Sequence, residues 1–189
     1  MITVYIKKIS DITENEKRSI IDSLSKAARE RLDKKRNGAL HLASLNALSL
    51  LSEEQRKNIY YSENGRPYFK DFDADISISH SETQVAVAIS DSTYTSVGVD
   101  IEDIKSIPIP TRFLTESEKK LLENGTPYLE IWTKKEALFK YLKNDSTPFI
   151  KLDSTTPEIY GAQFTTMKIE DSILTICSKE TDKIELIQK

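Results

Sequence analysis

The stretch Thr95-Ser96-Val97-Gly98-Val99-Asp100-Ile101-Glu102 decides how the chain is read. Its alternation predicts a strand over 95–101, with Val97, Val99 and Ile101 on one face. Gly98, Asp100 and Glu102 fall on the other face. Two carboxylates then stand one strand period apart, beside a residue without a side chain. Carboxylates that close repel one another unless a cation or a raised pKa intervenes. Mg²⁺ would meet that need, because it takes one or two carboxylates and fills its other positions with phosphate oxygens and water. A solvated strand face carrying two acids is the plain alternative, although acids are depleted in strands. Spacing alone leaves both open.

Working outward, residues 2–6 predict a strand, with Ile2, Val4 and Ile6 alternating with Thr3 and Tyr5. Residues 11–35 carry apolar side chains at helical spacing. Residues 38–52 hold no formal charge and predict a buried helix rich in leucine, from Leu40 to Leu51. Asn64-Gly65 marks a hairpin. A second hairpin is predicted over 75–90, with Ile76, Ile78 and His80 on one face and Val85, Val87 and Ile89 on one face of the return strand. Beyond the opening stretch, helices are predicted over 116–124 and 128–143, then two or three strands over 159–187. The order is strand, helices, strands, stated twice, with a break near 94–96. That order predicts an α+β fold rather than a doubly wound sheet, with halves at 1–95 and 96–189.

The chain has 189 residues, 38% of them hydrophobic and 30% charged, a soluble globular composition. Its net charge of -3 and pI near 5.6 argue against a nucleic-acid partner. The lone Cys177 excludes an internal disulfide framework and a multi-cysteine zinc site. The longest apolar runs, such as 85–89, fall far short of the roughly 20 residues a membrane span needs. The first residues lack the order of a signal peptide, so a cytoplasmic protein without a membrane partner is expected.

Two further segments bear on chemistry. On a helical wheel of residues 131–142, Ile131, Trp132, Leu138, Phe139 and Leu142 form one apolar arc. Lys135 falls inside that arc, Glu136 sits at its edge, and Lys140 follows one turn later. A lysine in a buried stripe packs its stem and needs an anion for its ammonium. The ordinary alternative is a surface Glu136–Lys140 pair with Lys135 reaching water. The other segment is Ser77-Ile78-Ser79-His80-Ser81, where a histidine ends a strand among hydroxyls, either lining a phosphate site or serving structure. No P-loop, complete dinucleotide fingerprint, His-Glu-x-x-His motif or assembled Ser-His-Asp triad is present.

Together these segments resemble the 4′-phosphopantetheinyl transferases of the Sfp type. Ser79-His80-Ser81, then Gly98-Val99-Asp100-Ile101-Glu102, then Trp132-Thr133-Lys134-Lys135-Glu136-Ala137-Leu138-Phe139-Lys140 occur in the family's order. Gly65-Arg66-Pro67 is similar to its Gly-Lys-Pro. Arg112-Phe113 with Glu116 is a weaker match. The resemblance implies two similar α+β halves related by a pseudo-twofold axis, with coenzyme A in the cleft between them. It implies transfer of the phosphopantetheine arm to a serine of an apo acyl or peptidyl carrier protein, releasing 3′,5′-ADP. A non-catalytic module binding coenzyme A or a carrier protein is the alternative. By position, Asp100, Glu102 and Glu136 would hold Mg²⁺. Glu136 would help deprotonate the serine, and Lys135 and Lys140 would neutralise pyrophosphate charge. His80 would meet the phosphates with Ser79 nearby, and Arg66 would lie near the adenine. Arg31, among Arg29, Lys34, Lys35 and Arg36, is a candidate for the 3′-phosphate. The family works as a monomer, since both halves share one chain. Glu82 stands where the family often has glycine and Gln84 where an aromatic is common, both on the hairpin rim.

Overall fold

A computed structural model describes residues 1–34, 38–105, 110–143, 147–179 and 181–189. Strand β1 (Ile2–Lys8) buries Ile2, Val4 and Ile6, as its alternation predicts. The expected long helix over 11–35 is instead two, α1 (Glu14–Asp22) and α2 (Lys26–Lys34). Serines separate them. Ser23 Oγ donates to Ile20 O at 2.7 Å, and Ser25 Oγ accepts from Ala28 N while donating to Ile59 O. Such hydroxyls offer the backbone partners outside the helix ladder. Helix α3 (Ala39–Ser49) buries Leu45 and Leu48, but Leu40 is 52% exposed, which corrects the reading of the whole stretch as interior. Then follow α4 (Glu53–Asn58), the hairpin β2 (Ile59–Tyr61) and β3 (Pro67–Phe69), and the hairpin β4 (Ile76–His80) and β5 (Gln84–Ser90).

The second half runs β6 (Gly98–Asp103), α5 (Glu116–Glu123), α6 (Tyr128–Tyr141), β7 (Gln163–Ile169), β8 (Ser172–Ser178) and β9 (Ile184–Gln188). Both halves use one strand order. The first strand pairs antiparallel with the last, which pairs with the one before it: β1–β5–β4 and β6–β8–β7. β9 departs from this pattern. It lies parallel to β1, with Ile2 opposite Ile184, so the final strand extends the first half's sheet.

The packing is layered. Val85, Val87 and Ile89 of the first sheet face α1–α3, while Ile2, Val4, Ile6, Ala86 and Ala88 face the second sheet. There they meet Val97, Val99, Ile101, Leu174 and Ile176. Each such fully buried side chain contributes about 1.5–3 kcal/mol. Three of them on β6 anchor that strand firmly enough for its other face to carry acids. That other face lies against α6, whose Ala137, Leu138 and Tyr141 pack with Cys177. Among the described residues no helix is long and apolar enough to cross a membrane.

Candidate active site

The site forms where the edges of the two sheets meet. The free edge of β6 faces β4 without a strand ladder between them, and side chains satisfy its peptide groups. Asp75 Oδ2 accepts from Val97 N at 3.1 Å, and Ser77 Oγ accepts from Val99 N at 3.0 Å. Ser79 Oγ donates to Asp100 Oδ1 at 2.7 Å, and Ser81 Oγ donates to Asp103 Oδ1 at 2.7 Å. The alternation of β4 therefore serves two purposes: Ile76 faces the core, and the serines stitch the halves together. Asp103 and Asp75 were not singled out from the sequence, and the serine row was singled out for its hydroxyls around His80 but not as a link to β6. The serine at every second position was the available signal. Asp103 also accepts from Thr83 and Ser172. Burial would raise its carboxyl, but these hydrogen bonds outweigh that and hold it below the usual range.

Helix α6 approaches β6 at Gly98. A Cβ there would stand 1.9 Å from Ala137 O and 2.6 Å from Tyr141 N. Only glycine lets the helix come this close. The approach brings Lys140 Nζ to Asp100 Oδ1 at 2.7 Å, Ser79 Oγ at 3.0 Å and Val99 O at 3.0 Å. It also brings Glu136 within electrostatic reach of Asp100 and Lys140. Glu102 joins them from the same face of β6 and accepts a hydrogen bond from the Trp132 side chain.

The electrostatics show the strain of three gathered acids. Burial, reinforced by Asp100, pushes the Glu102 carboxyl up to about 7, with Lys140 partly opposing. Burial also pushes Glu136 up to about 7, again with Lys140 opposing and Asp100 adding. Asp100 Oδ2 is buried and has no hydrogen-bond partner. An orphaned carboxylate oxygen beside two acids that resist ionising is what a missing cation would relieve. Among the described residues, however, no group of three or more His, Cys, Asp or Glu side chains is placed to hold a metal ion. The donor set fits a hard cation that completes its shell with phosphate and water, and does not fit an all-protein cage.

Two expected ligand contacts are corrected by this geometry. Lys135 is fully buried and its ammonium is committed elsewhere, to Glu118 Oε2 at 2.7 Å and to Leu152 O, over the Phe149 ring. Its place in the apolar arc is real, but the anion it reaches is Glu118, so it does not face a phosphate. Arg66, 9% exposed, grips both carboxylate oxygens of Asp75 at 2.9 and 2.7 Å and donates to Lys140 O. Its guanidinium ties the β2–β3 turn to β4 and α6, and it is spent there. Ser79 likewise contacts Asp100 and Lys140.

Two clefts share His80 in their linings, and one of them reaches Glu102. One, about 570 Å³, is lined by Leu40, Leu42, His80, Ser81, Glu82 and Glu102. The other, about 210 Å³, shares His80 and reaches Arg31, Ser44, Tyr61 and Gly65. Arg31 stacks on Tyr61 at 4.5 Å and donates to Gly65 O, while its Nε is buried without a partner. His80 thus lines both clefts, the one that holds Arg31 and the one that holds Glu102. Of the basic cluster, Lys35 and Arg36 lie outside the described residues. A slightly larger recess of about 590 Å³, between α5, α6 and β7, contains none of the gathered acids. It is not the site.

Residues 96–181 match the 4′-phosphopantetheinyl transferase superfamily. The matched stretch holds Asp100, Glu102, Glu136 and Lys140, and excludes Arg31, Arg66, Ser79 and His80. The mixed sheet-and-helix architecture fits that superfamily. No curated protein matches the chain.

Proposed function

We propose that this protein is a 4′-phosphopantetheinyl transferase of the Sfp type. It moves the phosphopantetheine arm of coenzyme A to a serine of an apo acyl or peptidyl carrier protein and releases 3′,5′-ADP. The observation that carries this reading is the convergence of Asp100, Glu102, Glu136 and Lys140, with Glu102 lining a cleft that His80 also lines and Arg31 lining a second cleft that shares His80. The superfamily match over 96–181 supports it.

In the step itself, the serine Oγ forms a bond to the phosphorus bearing the pantetheine. The bond from that phosphorus to the bridging oxygen breaks, and its electron pair leaves with 3′,5′-ADP. Such a reaction asks for positioning and for charge stabilisation. Mg²⁺ held by Asp100, Glu102 and Glu136 would supply charge stabilisation when bound. Glu136 takes the serine proton, as a carboxylate placed beside the reacting hydroxyl can. His80, which lines both clefts, receives the phosphates, and Arg31, stacked on Tyr61, receives the 3′-phosphate. The shared strand order of the halves supports a pseudo-twofold relation and a boundary near residue 95, with β9 as an addition to the first sheet. A monomer working in the cytoplasm completes the proposal.

The test is the intact mass of two apo carrier proteins, one from fatty-acid synthesis and one from a peptide synthetase. Each is incubated with the protein, coenzyme A and Mg²⁺. A gain of one phosphopantetheine on either is expected, and the preferred carrier identifies the pathway. Coenzyme A binding without any gain on either carrier would replace transfer with a binding module.

A further inference from the structure

Lys140 and Ser79 do not face the cleft as phosphate ligands; both face Asp100. Lys140 Nζ spends its three hydrogens on Asp100 Oδ1, Ser79 Oγ and Val99 O, at 2.7, 3.0 and 3.0 Å. Ser79 Oγ donates its own proton to the same Asp100 Oδ1 at 2.7 Å. One oxygen of the carboxylate is therefore held from two sides, while the other, Oδ2, is buried and unpartnered. The two oxygens of Asp100 have been made inequivalent. We infer that Ser79 and Lys140 are positioning residues that lock Asp100 by Oδ1 so that Oδ2 alone is presented to a divalent cation.

This rests on the metal reading given above, and it assigns Lys140 a different task from charge neutralisation at the pyrophosphate. The geometry favours the locking role. A side chain already satisfied by three acceptors must give up at least one of them to reach a phosphate, and only 22% of it is exposed. The backbone carbonyl among those acceptors belongs to β6 itself, so the ammonium is fixed to the strand that carries its partner. Groups that orient a ligand in this way typically affect metal affinity about 10–100-fold when removed.

The experiment is a Mn²⁺ titration of the complete chain without coenzyme A, read by electron paramagnetic resonance. It is paired with a coenzyme A titration in chelator, read by calorimetry. Ser79→Ala and Lys140→Met are each expected to weaken Mn²⁺ binding at least about tenfold. Coenzyme A binding in chelator is expected to stay within about twofold of the wild type. Lys140→Arg, which keeps charge and donors, is expected to recover part of the lost Mn²⁺ affinity. Circular dichroism checks that each variant is folded, and Ser79→Ala removes a single hydroxyl, so a collapse of one variant leaves the other to decide. If both variants bind Mn²⁺ as the wild type does and lose coenzyme A instead, the locking role is overturned and direct phosphate contact replaces it. If the wild type itself takes up no Mn²⁺, the metal reading fails and this inference falls with it. The two failures are thus distinguishable.

Discussion

Two of the ion pairs on helix α6 start from lysines five residues apart, use the same chemistry and are put to opposite ends. Lys135–Glu118 is wholly buried, at 0% exposure on both sides. Every oxygen of Glu118 is used: Oε2 by Lys135 and Thr115 N, Oε1 by the backbone and hydroxyl of Ser154. Lys140–Asp100 is also largely buried, yet one carboxylate oxygen is left without a partner, and two more acids crowd beside it. The first network is closed and can only hold structure. The second is open, and an open buried polar network costs stability unless a ligand completes it. The difference teaches that burial of a lysine on this helix does not mark the site; the unmet valence beside it does.

The largest effect is expected at the closed pair. Lys135→Met leaves Glu118 as an uncompensated buried charge and should cost about 3–5 kcal/mol in urea unfolding. Adding Glu118→Leu should recover much of that loss, since an apolar pair of similar volume is tolerated. A Lys135→Met variant as stable as the wild type would erase the contrast with Lys140.

Next comes the close contact on which the open pair depends. Gly98→Ala puts a methyl group into the α6 backbone and forces the helix away from β6. A loss of about 1–3 kcal/mol, as for overpacking, is expected together with a fall in transfer. Loss of stability with transfer intact would mean that the α6–β6 spacing does not set the site.

A smaller effect sharpens the comparison through pH. Glu102 and Glu136 titrate near 7 in the folded chain against an ordinary value of 4.5. Between those values the folded state holds more protons than the unfolded one, so stability falls as pH rises. In chelator, the urea midpoint should be lower at pH 8 than at pH 5.5. Divalent cation should restore it at pH 8, where the carboxylates are ionised. A midpoint that rises with pH in chelator would contradict the crowding of acids at the open pair.

The smallest effect lies just past the helix end. Lys143 takes φ of 60°, in the left-handed region that favours glycine. Lys143→Gly should add about 0.5–1 kcal/mol, measured by thermal unfolding. A gain there separates ordinary strain at a helix end from the functional cost carried by Asp100.

Much of this was legible in local pattern. The alternation of 97–102 put Val97, Val99 and Ile101 in the core and the acids on the other face. The helical wheel put Lys135 inside the apolar arc, where it is fully buried. What was not legible was which partner each charge meets. Glu118 lies 17 residues before Lys135 on another helix, and no spacing rule joins them. Arg66 read as a ligand because its Asp75 clamp depends on how the β2–β3 turn folds over β4. The parallel pairing of β9 with β1 depends on chain reversal across the whole molecule, which periodicity does not carry. The break between α1 and α2 turned on two serine hydroxyls competing for backbone groups.

The most direct test compares the two pairs in one assay. Intact carrier mass and urea unfolding are measured side by side for the wild type, Asp100→Ala and the Lys135→Met/Glu118→Leu double variant, with coenzyme A and Mg²⁺ present for the mass measurement. The expected result is transfer reduced at least about a hundredfold in Asp100→Ala with folding intact, and substantial transfer in the folded double variant. Near-normal transfer by Asp100→Ala would contradict the central claim that the open cluster is the reaction centre.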